Sequence, residues 1–272
     1  MKFIASFPRS GNHFCRFVTE YLTGHATQGC VDNPSDVPIC LNRFDNAPHI
    51  LQHVDLEKII GQKAHSWEQI LSYSNRFGIG CSGLLLISRN PIEAIASHIR
   101  VSGRLNQIPE RFDRLFEQWK HLFLVGLLSP MQTSLVWYDD LISDDKSRYT
   151  AAILEISKMF WSEVDPKRLG HLLSDISEFR AISALGKNRD WAGARSINQP
   201  ADFHLRHFEA GQRIGCCEVV SRRLKETIDD VRKFAGNDSK SHSKFSRTTE
   251  VIEMLDRWLG IVESIKDQYS AP

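Results

Sequence analysis

The chain lacks an excess of either charge: among its 272 residues, 34 lysines and arginines stand against 33 aspartates and glutamates. No global basic field exists to draw in nucleic acid or an anionic membrane, so any anion site has to be local. Long apolar runs are missing too. The longest, near Leu84–Ile87 and Leu122–Leu128, fall well short of the roughly 20 residues a membrane-spanning helix needs, and none is expected. Pro8, Arg9 and Asn12 break the first apolar stretch at once, which predicts no secretory leader and a cytoplasmic protein. The six cysteines show no C-x-x-C spacing, so they read as reduced thiols and not as a disulfide framework or a metal site. A Walker A loop is also absent: no lysine follows Gly11 and no glycine precedes it at the required distance, which counts against ordinary ATP hydrolysis. No internal repeat is apparent.

What the chain does contain is an alternation of short apolar segments with amphipathic ones, the pattern of an α/β domain with a mostly parallel sheet. Phe3–Phe7 reads as the first strand, and Phe14, Phe17, Val18, Tyr21 and Leu22 recur at helical spacing up to Gly24. Residues 25–48, rich in Asn, Asp and Pro, read as a long loop. Residues 49–54 are expected to form a strand and 56–60 a short helix. Leu84–Ser88 is a continuous apolar run suited to a strand buried on both faces. Asn90-Pro91 then combines a capping residue with proline at the first helical position and predicts a helix to about Arg100. A helix over 110–128 and a strand over 134–138 follow, and the chain beyond Lys146 is mostly helical. One domain over 1–235 is expected, then a polar linker over 236–246 and an amphipathic helix within 247–272 that packs on the domain.

Two local features carry chemistry. "SFPRSGNHF" (Ser6–Phe14) puts Arg9, Ser10, Gly11 and Asn12 between the first strand and the first helix, where backbone N–H groups and a guanidinium can meet an oxyanion. "LLLISRNPIEAIASHIR" sends Arg89 off the end of a buried strand, the edge where open α/β sheets place ligands, with Ser97 about two turns into the following helix.

Together these motifs resemble the two cofactor signatures of the sulfotransferases that use 3′-phosphoadenosine 5′-phosphosulfate (PAPS). The resemblance covers residues 2–145, with a weaker trace to about Gly236. It implies a P-loop-like three-layer fold with a central mostly parallel sheet flanked by helices. It also implies that Arg9, Ser10, Gly11, Asn12, His13 and Phe14 hold the 5′-phosphosulfate side of PAPS, while Arg89 and Ser97 hold the 3′-phosphate. The family's K-[TS]-H segment corresponds to Lys63-Ala64-His65, which makes His65 the base for the acceptor proton and Lys63, with Arg9, a cation for the sulfuryl and phosphate oxygens. His53 and His13 are the rival bases. Tyr138, in "VWYDDLISDD", inherits a place near the adenine.

The sequence departs from the family pattern at several points. Arg9 stands where a lysine is usual, giving a two-oxygen fork in place of a point charge. Phe14 stands for a tryptophan that stacks on adenine. The family's late R-K-G-x-x-G-x-W loop has no clear counterpart: "RHFEAGQRIG" differs in spacing and lacks the tryptophan, so neither Arg206 nor Arg213 is singled out. The resemblance implies a hydroxyl or amine acceptor and no metal; the near-neutral charge and modest length favour a small-molecule acceptor over a long anionic polysaccharide, with no nucleic-acid partner and no membrane, and homodimer formation is left open. The alternatives are a nucleotide or small-molecule kinase on a related fold and a non-catalytic nucleotide-binding protein. Loops 25–48 and 102–109 are the expected walls of an acceptor pocket.

Overall fold

The computed structural model describes residues 1–30, 32–33, 36–41, 49–103, 108–128, 131–175, 179, 204–237 and 248–270. These residues fall into two compact units, each discontinuous in sequence: residues 1–89 with 121–199, and 90–120 with 200–272.

The first unit is built on five parallel strands, β1 (Lys2–Ser6), β2 (His25–Gln28), β3 (Asp55–Ala64), β4 (Gly83–Ser88) and β5 (Thr133–Trp137), in the order β2-β3-β1-β4-β5. Helices cover both faces, as a parallel sheet requires. On one face Ile4, Leu85, Ile87 and Val136 pack with Phe17, Val18, Tyr21 and Leu22 of α1 (Asn12–Thr23) and with Tyr149, Ile153 and Ile156 of α6 (Lys146–Met159). On the other, Phe3 meets the edge of Tyr73 from α2 (Trp67–Phe77), and a Cβ on Gly126, near the end of α4 (Ile108–Leu128), would come within 2.6 Å of Leu86. Alternate residues of β1 and β4 therefore point to opposite apolar layers, which is why these strands read as unbroken apolar runs. A single turn, α5 (Tyr138–Leu141), follows β5, and α7 (Pro166–Ser174) starts from an Asp165 cap.

The second unit is helical. In α3 (Pro91–Ser102), Asn90 caps the first turn by accepting from the Ile92 amide at 3.1 Å, as expected from Asn-Pro. Val251, Leu255, Trp258, Val262 and Ile265 form a buried stripe at helical spacing along α9 (Thr248–Ser270). That helix packs on α8 (Ala210–Asn237), and Trp258 meets Trp119 edge-on at 5.9 Å. Arg223 grips Asp113 with two nitrogens, at 2.7 and 2.9 Å.

Several sequence expectations need correction. Residues 25–28, expected in a loop, form β2. The segment expected as a strand at 49–54 begins with a 3₁₀ turn (His49–Leu51), and the expected helix at 56–60 lies inside β3. Leu56 is 45% exposed, so the apolar spacing there marks no buried helix face. The β-branched pair Ile59-Ile60 is better placed in a strand, where Ile59 pairs with Ala26 of β2. Tyr138, expected to end a strand, opens α5 instead. Helix α8 continues to Asn237, and the rest of the expected linker, 238–246, lies outside the described residues. Much of both expected acceptor loops, 42–48 and 104–107 in particular, also lies outside them. Among the described residues no helix is long and apolar enough to cross a membrane.

Candidate functional site

The strand order defines where a ligand crevice belongs. The chain leaves β1 toward β2 and β3 on one side, and leaves β4 toward β5 on the other. Connections diverge at the carboxyl ends of β1 and β4, the topological switch point at which open α/β sheets bind ligands. The β1 loop, Phe7–Gly11, and Arg89 after β4 are the residues found there. They are joined: Arg89 Nη1 donates to the carbonyl oxygen of Arg9 at 2.9 Å.

Three properties mark this loop. Arg9 has φ 71°, and among the described residues no other non-glycine residue has a positive φ. A left-handed arginine costs about 1–2 kcal/mol relative to ordinary backbone. Gly11 has φ 89°, and a Cβ there would lie 2.7 Å from the Tyr138 ring, so conformation and space both demand glycine. Tyr138 in turn lies under the Arg89 guanidinium, 4.6 Å from its ring centroid. Loop, arginine and tyrosine thus brace one another.

Helix α1 opens from this loop without a side-chain cap and with no acidic residue in its first turn. Its leading N–H groups and the positive end of its dipole are not neutralised locally. Ser10, 1% exposed, has no hydrogen-bond partner for its hydroxyl; nor do the hydroxyls of Ser6 and Ser88, at the ends of β1 and β4. Asn12 donates from Nδ2 to the Ile4 carbonyl at 2.8 Å, pinning the loop to β1, while its Oδ1 is unpartnered. Buried polar atoms without partners cost about 1–3 kcal/mol each, and several of them gather here at one end of the sheet.

His65 directly follows β3. Its Nδ1 lies 2.8 Å from the Ser6 carbonyl oxygen, and because a carbonyl only accepts, Nδ1 carries a proton; in the neutral imidazole Nε2 is then the acceptor nitrogen. Its backbone N–H donates to Gln69 Oε1 at 2.6 Å. The imidazole is thereby held at the same end of the sheet as the β1 loop. His53, by contrast, sits by the C-terminal end of α1, edge-on to Tyr21 at 6.0 Å, about 18 Å of helix from the loop. Burial, reinforced by Arg168, pushes its pKa down. His13 is half-buried on the first turn of α1.

Lys63 is not directed at open solvent. Its Nζ donates to Asp36 Oδ2 at 2.5 Å. Asp36 also accepts from Arg16 at 2.9 Å; burial pushes its carboxyl up, but Arg16 and Lys63 outweigh burial and hold it well below the usual carboxylate range. Arg16 itself is 0% exposed and donates further to Thr27 Oγ1 and to the Thr27 and Val37 carbonyls. Glu20, also fully buried, accepts from the amides of Thr27, Ile39 and Cys40 and from the Thr27 hydroxyl. None of Asp36, Arg16 and Glu20 was singled out from the sequence, because each gains meaning only from a partner distant along the chain.

The other expected residues divide between the units. Phe14 stacks on Phe17, 6.2 Å between centroids, and packs against the apolar core. Ser97 lies buried on α3 of the second unit. Arg213, at the start of α8, donates to the carbonyls of Phe208 and Arg206, at 2.6 and 3.1 Å, and lies over Tyr269. The chain matches no model of a known protein family and no curated protein.

Proposed function

We propose that the chain is a PAPS-dependent sulfotransferase with a P-loop-like fold, acting on a hydroxyl or amine of a small molecule and releasing adenosine 3′,5′-bisphosphate. PAPS, when bound, supplies a sulfuryl group on a phosphate leaving group. Arg9, the Ser10 hydroxyl and the leading N–H groups of α1 hold the oxygens on the 5′ side and stabilise charge that develops there. Arg89 answers the 3′-phosphate while keeping one N–H on the loop, and Tyr138 backs both. His65 accepts the acceptor proton at Nε2 and is kept in that tautomer by Ser6. Lys63 contributes a cation held at the end of β3 by Asp36. The role of Ser97 rests on the motif alone.

The observation that carries this reading is the junction of the two motif-bearing loops at the switch point, beside an uncapped helix N-terminus and an unpartnered buried serine hydroxyl. Thermal denaturation with ligand tests it. Adenosine 3′,5′-bisphosphate should raise the melting temperature, since it binds only the folded state, and ATP with Mg²⁺ should do so much less. Equal shifts, or no shift with the bisphosphate, would discard the PAPS reading. Transfer of sulfur-35 from labelled PAPS to a metabolite extract should then yield a labelled small molecule.

A further inference from the structure

His65 stands just beyond the paired part of β3, whose register with β1 ends at Ala64 opposite Ala5. The ladder therefore no longer fixes its backbone. The next residue, Ser66, caps α2 by accepting from the Gln69 amide at 3.2 Å. A Ser-x-x-Gln cap ordinarily closes on itself, the glutamine side chain returning to the backbone N–H of the capping serine. Here Gln69 Oε1 reaches one residue further back and accepts from the His65 N–H at 2.6 Å.

Two elements thus converge on His65. Gln69 of α2 takes its backbone, and the Ser6 carbonyl at the end of β1 takes Nδ1 of its ring at 2.8 Å. The ring bond depends on the backbone bond: a residue released from the ladder can hold its ring on a fixed carbonyl only while its own main chain stays in place. An imidazole freed from that carbonyl populates both neutral tautomers, and one of them has no lone pair at Nε2.

We infer that Gln69 is the positioning residue of His65: through the backbone it keeps Nδ1–H on Ser6 and so keeps Nε2 as the acceptor nitrogen of the neutral ring. As a contribution to turnover this rests on the sulfotransferase reading; as a hold on the imidazole it does not. Nitrogen-15 NMR of the full chain, labelled at histidine and without nucleotide, separates the two, with the His65 signals identified by their loss in His65→Gln. Above the imidazole pKa the wild type should show a proton on Nδ1 alone. Gln69→Leu, which removes the acceptor, should show both tautomers in exchange, and Gln69→Ala repeats the comparison should the leucine variant not fold. Gln69→Glu keeps an oxygen at the same reach and should restore the Nδ1–H signal. Its added carboxylate should also raise the His65 pKa, since an opposite charge within about 4–6 Å favours the imidazolium. At saturating labelled PAPS with the metabolite extract, Gln69→Leu should lose about 10–100-fold in turnover, the effect of a base displaced by up to about 1 Å. The PAPS concentration for half-saturation and the bisphosphate thermal shift should stay as in the wild type. Gln69→Glu should recover turnover on the alkaline side of an acid limb moved to higher pH. An Nδ1–H signal as uniform in Gln69→Leu as in the wild type, no restoration by Gln69→Glu, or undiminished turnover of Gln69→Leu overturns the inference even where the bisphosphate binds. Mixed tautomers restored by Gln69→Glu, in a chain that neither binds the bisphosphate nor consumes PAPS, keep Gln69 as the hold on His65 and discard only the sulfotransferase reading.

Discussion

Two buried polar regions flank α1, and they are treated in opposite ways. Along the body of the helix, Arg16 and Glu20 are fully enclosed, yet every polar atom mentioned has a partner, and Asp36 and Lys63 extend the same network. Around its N-terminus, Ser6, Ser10 and Ser88 keep unpartnered hydroxyls, Arg9 holds a left-handed backbone and the helix has no cap. Saturated polar networks rigidify a fold, whereas unsaturated ones cost stability that a polar ligand can return. Arg16 and Glu20 in the first region tie Thr27 and residues 36–40 to α1. The second is where the proposed ligand would bind.

That contrast can be broken most forcefully in the scaffold. Asp36→Ala leaves the buried Arg16 guanidinium without its carboxylate, and urea denaturation should show a loss of about 3–5 kcal/mol; a loss under about 1 kcal/mol would mean the network is not needed for folding. Next comes His65→Gln, for which turnover should fall about 10²–10⁴-fold with bisphosphate affinity unchanged, because the imidazole addresses the acceptor and not the nucleotide. Parallel titration and rate measurements check this, and an equal fall in both would make His65 a structural residue.

Substitutions at the binding end should reverse the usual sign. Arg9→Gly relieves the left-handed strain and should raise stability by about 1 kcal/mol, while weakening bisphosphate binding by about 1.5–3 kcal/mol through loss of charge-assisted bonds. Ser10→Ala should likewise cost the free protein nothing measurable by denaturation. If either variant is clearly destabilised, the loop belongs to the scaffold and the comparison fails.

The finest test is acid titration. Asp36 is depressed in the folded state, so its contribution is fully present above its unfolded pKa of about 3.9 and is lost as pH falls through the lower folded value. Below about pH 4 the wild type should therefore lose stability more steeply than Asp36→Asn, by up to about 1.4 kcal/mol per pH unit. Superimposable acid limbs would show that Arg16 and Lys63 do not bias this carboxyl.

The legible parts of the molecule were those whose physics is local. Apolar continuity in Leu84–Ser88, the Asn90-Pro91 cap and glycine at 11 and 24 each act within a few residues, and each is found as the sequence implies. Strand β3 was misread because its outer half is exposed and its identity comes from pairing with β2 and β1. Helix α2 was not foreseen, although Ser66 caps it by accepting from the Gln69 amide, a signal present in Ser66-Trp-Glu-Gln. His65 could be named from its motif, but its tautomer could not, since the Ser6 carbonyl that sets it is 59 residues away.

By itself, then, the sequence determined an α/β chain with a Pro-Arg-Ser-Gly turn after its first strand, an arginine after a buried strand and a histidine between them. Only the tertiary structure decided that β1 and β4 are neighbours with diverging connections, that Arg89 braces the Arg9 loop, and that Lys63 is held by Asp36 while Ser10 has no partner. The reason is range. Turns, caps and apolar periodicity arise from sterics and hydrogen bonds between near neighbours. The pairing of a buried charge, or the absence of any pair, depends on which distant strand end or loop the folded sheet brings within 3 Å or so.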